Sequence, residues 1–547
     1  MCGIIAVNFT DGESIKRSLI SLSSRGPDNQ HYLTINGRFL GHTLLSLFSP
    51  DIKNSQQPIQ DNGITVCANG EIYNYRELKT DLERWGYQFK TTSDCEVIVH
   101  GLHKYGLELL NKIDGEFCFV SFNSLTNLWI CATDRFGTKP LKYSKTNSRF
   151  IIGSTIESLI NIDDDLKGDL DIESIKFCLR NQVFQDDRTF LSRIMSIPSA
   201  SVLTFNETTG YFNVSNYTKP TRESELVDLD RVDYLLERAV IKRLNPDNKI
   251  SLSLSSGVDS SIIAIYLKKN NIDFSCYTVD FKGSQYSELQ DVINFSGRHE
   301  LEVNTVSISP DDLKNNFVNG ILNAESMAIN SHVAAKFILN NKSKADGHKI
   351  SFTGDGADEI FYGYSHFHTD DPYQFISNSE ATSLKMSNLL DGVCFDSSHS
   401  IRNSYKTAKD IYQEYWLNNY GLKIIGDSQS ASIGQEHRYP FLDYDLNDYL
   451  NTISNFKDNN YPSKTILRQI MARYDIVQSN IPKKPFTGHL IDFSWKKMYQ
   501  EWVIENDKLH STRLFNRNRI EKWIESPDSS IVTTQLISLG ILLRTYG

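Results

Sequence analysis

Two places in the sequence hold residues whose types and spacing suit chemistry. The first is the amino terminus, "MCGIIAVNFTDG", where Cys2 stands before Gly3 and an apolar run. An initiator methionine is readily trimmed before a small residue. Trimming would leave Cys2 with a thiol and a free α-amino group, a nucleophile and its base in one residue. A cysteine near a chain end is usually incidental, so its use depends on what the rest of the chain supplies.

The second place is "SLSSGVDSS" at 253–261, which follows a β-rich run and opens a helical one. Small residues let the backbone approach an anion, while N–H groups and a helix N-terminus supply positive potential. Ser255, Ser260 and Ser261 add hydroxyl donors. The run does not match the GxxxxGK(S/T) loop, and a Ser/Gly turn before a helix, taken alone, is more often just a helix cap. "TGDGADE" at 353–359 also follows a strand-like run. In an open α/β sheet such loops meet at the carboxyl edge, where ligands sit. Asp259 and Asp358 could then both face a phosphate, with Mg²⁺ between them.

The elements needed to position these groups are legible along the chain. Up to about residue 200 the sequence gives many short strands, among them "GIIAVNF", "GITVCANGEIYNY", "EFCFVSFN", "LWICATD" and "RFIIGS". Apolar residues alternate in several of them. Helical stretches interrupt them near 75–86 and 94–105. This predicts packed antiparallel sheets with flanking helices. A polar, turn-rich segment at 206–226 marks a boundary between a domain over 1–205 and one over 226–547. The helical stripe of "DRVDYLLERAVIKRL" comes next, followed by alternating strands and helices, which implies a doubly wound α/β domain. Residues 400–547 read as mostly helical.

Composition narrows the function classes. The chain has 547 residues, 39% hydrophobic and 23% charged, with a formal charge of −10. Two or three soluble domains fit that length. An acidic balance argues against a nucleic-acid partner, and no run is long enough to span a membrane. No signal-peptide layout opens the sequence. The eight cysteines at 2, 67, 95, 118, 131, 178, 276 and 394 form no CxxC pair, so reduced thiols in a cytoplasmic protein are expected.

The loop "SSGVDSS" resembles the pyrophosphate loop SGGxDSS of the ATP-pyrophosphatase superfamily. Together with the N-terminal "MCGI", the whole chain resembles the glutamine-dependent asparagine synthetase family. The resemblance runs nearly end to end through "SRGPD" (24–28), "NGEIYN" (69–74), "SDCEV" (93–97), "DRFGTKPL" (134–141), "PFLD" (440–443) and "KTILR" (464–468).

The resemblance implies an α/β protein with an N-terminal αββα glutaminase domain of the N-terminal-nucleophile class. An ATP-pyrophosphatase domain with a helical C-terminal part would follow. It implies that Cys2 attacks the glutamine amide, that Asn69 and Gly70 form the oxyanion hole, and that Asn69, Gly70, Glu71 and Asp94 hold glutamine. In the second domain Ser255, Gly257, Asp259, Ser260 and Ser261 match the pyrophosphate loop, and Leu254, Val279, Thr353 and Gly354 line the nucleotide. Asp259 and Asp358 match Mg²⁺ ligands, and Lys464 matches the lysine that stabilises charge on the adenylate. Asp355 stands where the family has Glu. The implied partners are small molecules: glutamine, ATP and an acceptor carboxylate, aspartate first, with a homodimer as an open option.

Three departures qualify the match. Leu44 in "HTLLSL" replaces the arginine that clamps the glutamine α-carboxylate, a role that Arg25 could take over. Ser256 replaces a loop glycine, acceptable if its torsions are ordinary. "AESMAINSHVAAKF" at 324–337 carries no arginine where family members grip aspartate. A different acid or amine acceptor, or a degenerate non-catalytic relative, therefore stands as the alternative.

Overall fold

The computed structural model describes residues 1–47, 55–185, 187–218, 226–282, 287–364, 382–391, 411–453, 464–482, 495–525 and 529–547. Cys394 lies outside them, and the seven other cysteines are free of disulfides.

The N-terminal half is a sandwich of two antiparallel sheets. From edge to edge the first runs Met195–Ser196, Lys142–Lys145, Phe150–Gly153, Gly3–Val7, Arg38–Leu44 and Asn29–Ile35. The second runs Phe212–Asn216, Ser201–Asn206, Leu128–Thr133, Gly115–Asn123, Ile64–Ile72 and Ile59–Asp61. Alternation along Gly3–Val7 explains why this strand is central. Ile4 and Ala6 pack between the sheets with Cys67, Val120 and Trp129, whereas Ile5 and Val7 meet the helical side with Leu19 and Ile156. Helices Tyr75–Arg84 and Glu96–Tyr105 cover the other outer face through Leu78, Leu82 and Val99. The central strands of both sheets are therefore buried on both faces, the edge strands Asn29–Ile35 and Phe212–Asn216 staying partly exposed, and the layering is αββα.

The second half is built on a five-stranded parallel sheet in the order Val303–Ile308, Phe274–Phe281, Ile250–Ser253, Ile350–Phe352, Glu436–Arg438. In chain order this is 3-2-1-4-5. The direction of winding reverses between Ile250–Ser253 and Ile350–Phe352, and the crevice at such a reversal is where ligands bind in this architecture. The helix Val258–Lys269 that leaves the first of these strands buries nine residues, from Val258 through Leu267 apart from Asp259. Apolar residues surround it on most sides because it is enclosed within the core.

The C-terminal part differs from its helical reading at one point. Glu436–Arg438 is a strand of the parallel sheet, paired with Ile350–Phe352. Three polar residues, all buried, hide the strand from any hydrophobic pattern. Among the described residues no helix is long and apolar enough to cross a membrane.

Candidate functional site

The amino-terminal residues enter the sandwich beside the strand that carries Asn69. The Cys2 backbone N–H donates to Asn69 Oδ1 over 2.8 Å. That bond fixes the amide and aims Nδ2 away from it. Asn69 is fully buried, and its Nδ2 has no hydrogen-bond partner among the described residues. An unused buried donor beside a thiol is the arrangement an oxyanion requires. Gly70 follows with φ 126°, and a Cβ there would lie 1.9 Å from the Glu116 carbonyl oxygen. Only glycine allows the strand to pass that close.

Burial governs the ionisation of this centre. Loss of solvent pushes the Cys2 thiol up to about 11, so it is protonated at neutral pH and needs a base. Met1 is buried, and desolvation lowers its ammonium to about 5. Asp94 is raised to about 6 by burial, although the Ile72 N–H donates to its Oδ2 at 2.7 Å and opposes that rise.

Glu71 and Arg25 both reach across to the second half. The Glu71 carboxylate lies 2.7 Å from the Arg438 guanidinium. Arg25 donates to the Cys2 carbonyl at 3.2 Å and pairs with Asp427 at 3.2 Å. Leu44 is buried at the end of its strand.

In the second half a cavity of about 490 Å³ opens at the switch point. It is lined by Leu254, Ser255, Gly257, Asp259, Ser260, Val279, Thr353, Gly354, Asp355, Asp358 and Lys464. Serine hydroxyls shape the first loop. Ser260 Oγ accepts from the Ser255 N–H at 2.9 Å, and Ser255 Oγ accepts from the Gly257 N–H at 3.2 Å. Ser256 is not among the residues with positive φ, and its N–H donates to Glu288 Oε2 at 2.8 Å. Ser261 stands apart from the cavity lining. Its hydroxyl donates to the Gly257 carbonyl and accepts from Gln478 Nε2, each at 2.9 Å, bracing the loop from behind.

The two loops touch because Gly354 has no side chain. A Cβ there would lie 2.9 Å from Asp259 Cβ. Lys464 comes in from a third stretch of chain. Its ammonium contacts Asp259 and lies 2.7 Å from Asp358. Burial works against this charge, but the two carboxylates outweigh it and hold the lysine above its usual range. Asp355 pairs with Lys336 at 3.3 Å.

Several participants had little or no local signal. Lys336, Glu288 and Arg468 line the cavity, as do Trp416 and Tyr420, whose rings stack at 4.7 Å. Gly363 is one more: a Cβ there would lie 1.9 Å from Asp358 Oδ1. The "EHR" strand offered one clue, since Glu436 and Arg438 share a face at period two.

Family comparisons divide the chain as its two halves are divided. A glutamine amidotransferase domain model matches residues 1–218, and an asparagine synthase model matches residues 231–543. The chain belongs to the asparagine synthase family. An asparagine synthetase (glutamine-hydrolyzing) of Bacillus subtilis is 26% identical over 380 residues, covering 67% of this chain and 59% of the relative. The chain thus spans about three fifths of that relative's length. One from Sandersonia aurantiaca is 30% identical over 392 residues, 67% of this chain and 68% of the relative. Another of Bacillus subtilis is 25% identical over 591 aligned positions, 97% of this chain and 94% of the relative. This member of the asparagine synthase family therefore keeps both halves of such a relative in the same order.

Proposed function

We propose that this chain is an ATP- and glutamine-dependent amide ligase that converts aspartate to asparagine. The observation that supports it most is the meeting of Asp259, Asp358 and Lys464 at one cavity, from three separate stretches of chain. The same chain buries an unused amide donor beside Cys2.

In the first half, loss of Met1 would turn the Cys2 nitrogen from a peptide N–H into an amine that stays within reach of Asn69. It would also open the buried space that Met1 fills. That amine takes the thiol proton, and the sulfur attacks the glutamine side-chain amide. Asn69 Nδ2 and the Gly70 N–H receive the oxyanion, and the amine passes its proton to the departing nitrogen so that ammonia leaves. Water then hydrolyses the glutamyl thioester to glutamate and the free thiol. Asp94 is the buried carboxylate suited to the substrate ammonium. The Glu71 side chain is occupied by Arg438, so its part in holding glutamine falls to its backbone.

In the second half, the 254–257 loop and the N-terminus of Val258–Lys269 face the phosphates, with Leu254 and Val279 against the base. Asp259 and Asp358 are hard oxygen donors reaching one point. Two carboxylates fit Mg²⁺ held jointly with nucleotide phosphates, where the ion would neutralise charge. Lys464 stabilises the charge that develops as the acceptor carboxylate takes AMP and pyrophosphate leaves. Ammonia then displaces AMP.

The test is pyrophosphate release with ATP and Mg²⁺ across a panel of carboxylates, supplied with glutamine or ammonium in parallel. Aspartate-dependent release with asparagine formed is the expected result. Larger monocarboxylates belong in the panel because Trp416 and Tyr420 give the cavity an aromatic wall. Release with one of them alone would replace aspartate as acceptor, and silence throughout would remove the ligase reading.

A further inference from the structure

Arg438 touches both halves at the points that matter most to each. It ends the last strand of the parallel sheet and is fully buried. Its carbonyl accepts from the N–H of Thr353, the first residue of the second cavity loop, at 3.2 Å. Its guanidinium pairs with Glu71 at 2.7 Å and with Glu436 at 3.2 Å, and donates to the Arg243 carbonyl. Glu71 directly follows Asn69 and Gly70.

A second strut runs in parallel. Tyr439 N–H donates to Glu116 Oε1 at 3.2 Å, and Arg243 Nε donates to the same oxygen at 2.8 Å. Glu116 pairs in register with Glu71, and its carbonyl is the atom packed against Gly70. Residues 438 and 439 thus grip both strands that shape the oxyanion pocket, while their own strand is fastened to the cavity loop. Buried ions held by several partners have few alternative arrangements, and this network joins the two centres without a break.

We propose that Arg438 is a positioning residue that couples the two centres: a nucleotide seated at Thr353 and Gly354 fixes Arg438, which fixes Glu71 and so the donors at Asn69 and Gly70. Glutamine hydrolysis is then fastest when nucleotide is bound, and ammonia is not released into an empty acceptor site. This inference rests on the amide-ligase reading.

The experiment measures glutamine hydrolysis by the full chain, with and without Mg²⁺ and an ATP analogue uncleavable between its α and β phosphates. The parent should turn over about fivefold or more faster with the analogue, chiefly through kcat, as expected for a typical coupling between sites. Arg438→Gln should hydrolyse glutamine with that response cut to about twofold or less, and Arg438→Lys should recover part of it. Ammonium-driven pyrophosphate release reports whether the second half is folded in each variant. Hydrolysis indifferent to the analogue in the parent, or a full response in Arg438→Gln, overturns the coupling while leaving the ligase reading in place. No glutamine hydrolysis under any condition overturns both. If neither variant folds, hydrogen exchange on the parent decides: the analogue must slow exchange at residues 69–72, and unchanged exchange there overturns the proposal.

Discussion

The Lys464 ammonium lies 2.7 Å from a carboxylate oxygen of Asp358, with Asp259 against its other side. Lys464 is buried and has φ 56°, a backbone region that side chains seldom adopt. A cation held this way places positive charge where a transition state would accumulate negative charge. Lys464→Met should lower ATP- and acceptor-dependent pyrophosphate release by about 100-fold or more. Glutamine hydrolysis without nucleotide should persist within about threefold of the parent, since Cys2 and its donors lie in the other half. Parallel assays of the two half-reactions check this.

Gly354 is where the two cavity loops come together. In Gly354→Ala the new Cβ would press on Asp259 Cβ at 2.9 Å, separating Asp259 from Asp358. We expect nucleotide affinity to fall about tenfold, close to 1.4 kcal/mol, in titrations with a fluorescent ATP analogue. A loss of folding stability of about 1–3 kcal/mol should accompany it, read as a lowered melting temperature.

Cys2→Ala should abolish glutamine hydrolysis and spare ammonium-driven amide formation. Intact mass spectrometry of the active parent should show the initiator methionine removed. A form that retains Met1 should be inactive with glutamine, because its Cys2 nitrogen is a peptide N–H engaged by Asn69 and unable to accept a proton.

Asp94 makes the glutamine half-reaction sensitive to acid. Burial raises its pKa to about 6, so it is ionised above that pH and neutral below it. A neutral acid cannot pair with the substrate ammonium. The acid limb of kcat/KM for glutamine should therefore steepen below about pH 6, adding roughly one unit of slope to that from the α-amino base. Asp94→Asn should lower kcat/KM at neutral pH and remove that break.

Much of this site was legible because its chemistry is local in sequence. Ser255, Gly257, Asp259 and Ser260 fall within one strand-to-helix turn, and "TGDGADE" forms another. The reversal in strand order puts these two loops side by side. Lys464 was legible only through the resemblance, since the fold brings it to Asp259 across 205 residues. Arg438, Arg243 and Glu116 escaped the reading for a physical reason. Arg438 ends a three-residue strand, Arg243 closes a helix and Glu116 lies near the start of a nine-residue strand. A charge in such a place looks solvent-facing until a partner of opposite sign is found, and each has one in the other half of the chain. Arg25 shows the same limit: its place in "SRGPD" did not reveal that Asp427 already holds its guanidinium.

The ion pairs that cross between the halves also bear on how this protein can be taken apart. Arg25 meets Asp427, Lys242 meets Asp114, and Arg243 meets Glu116, the first and last of them shut away from water. Stranding one partner of such a pair costs about 3–5 kcal/mol. A chimera that grafts either half onto a relative's complement would strand several at once unless matching charges travel with it. The halves are thus not interchangeable cassettes, and a productive transplant has to move the seam as a unit.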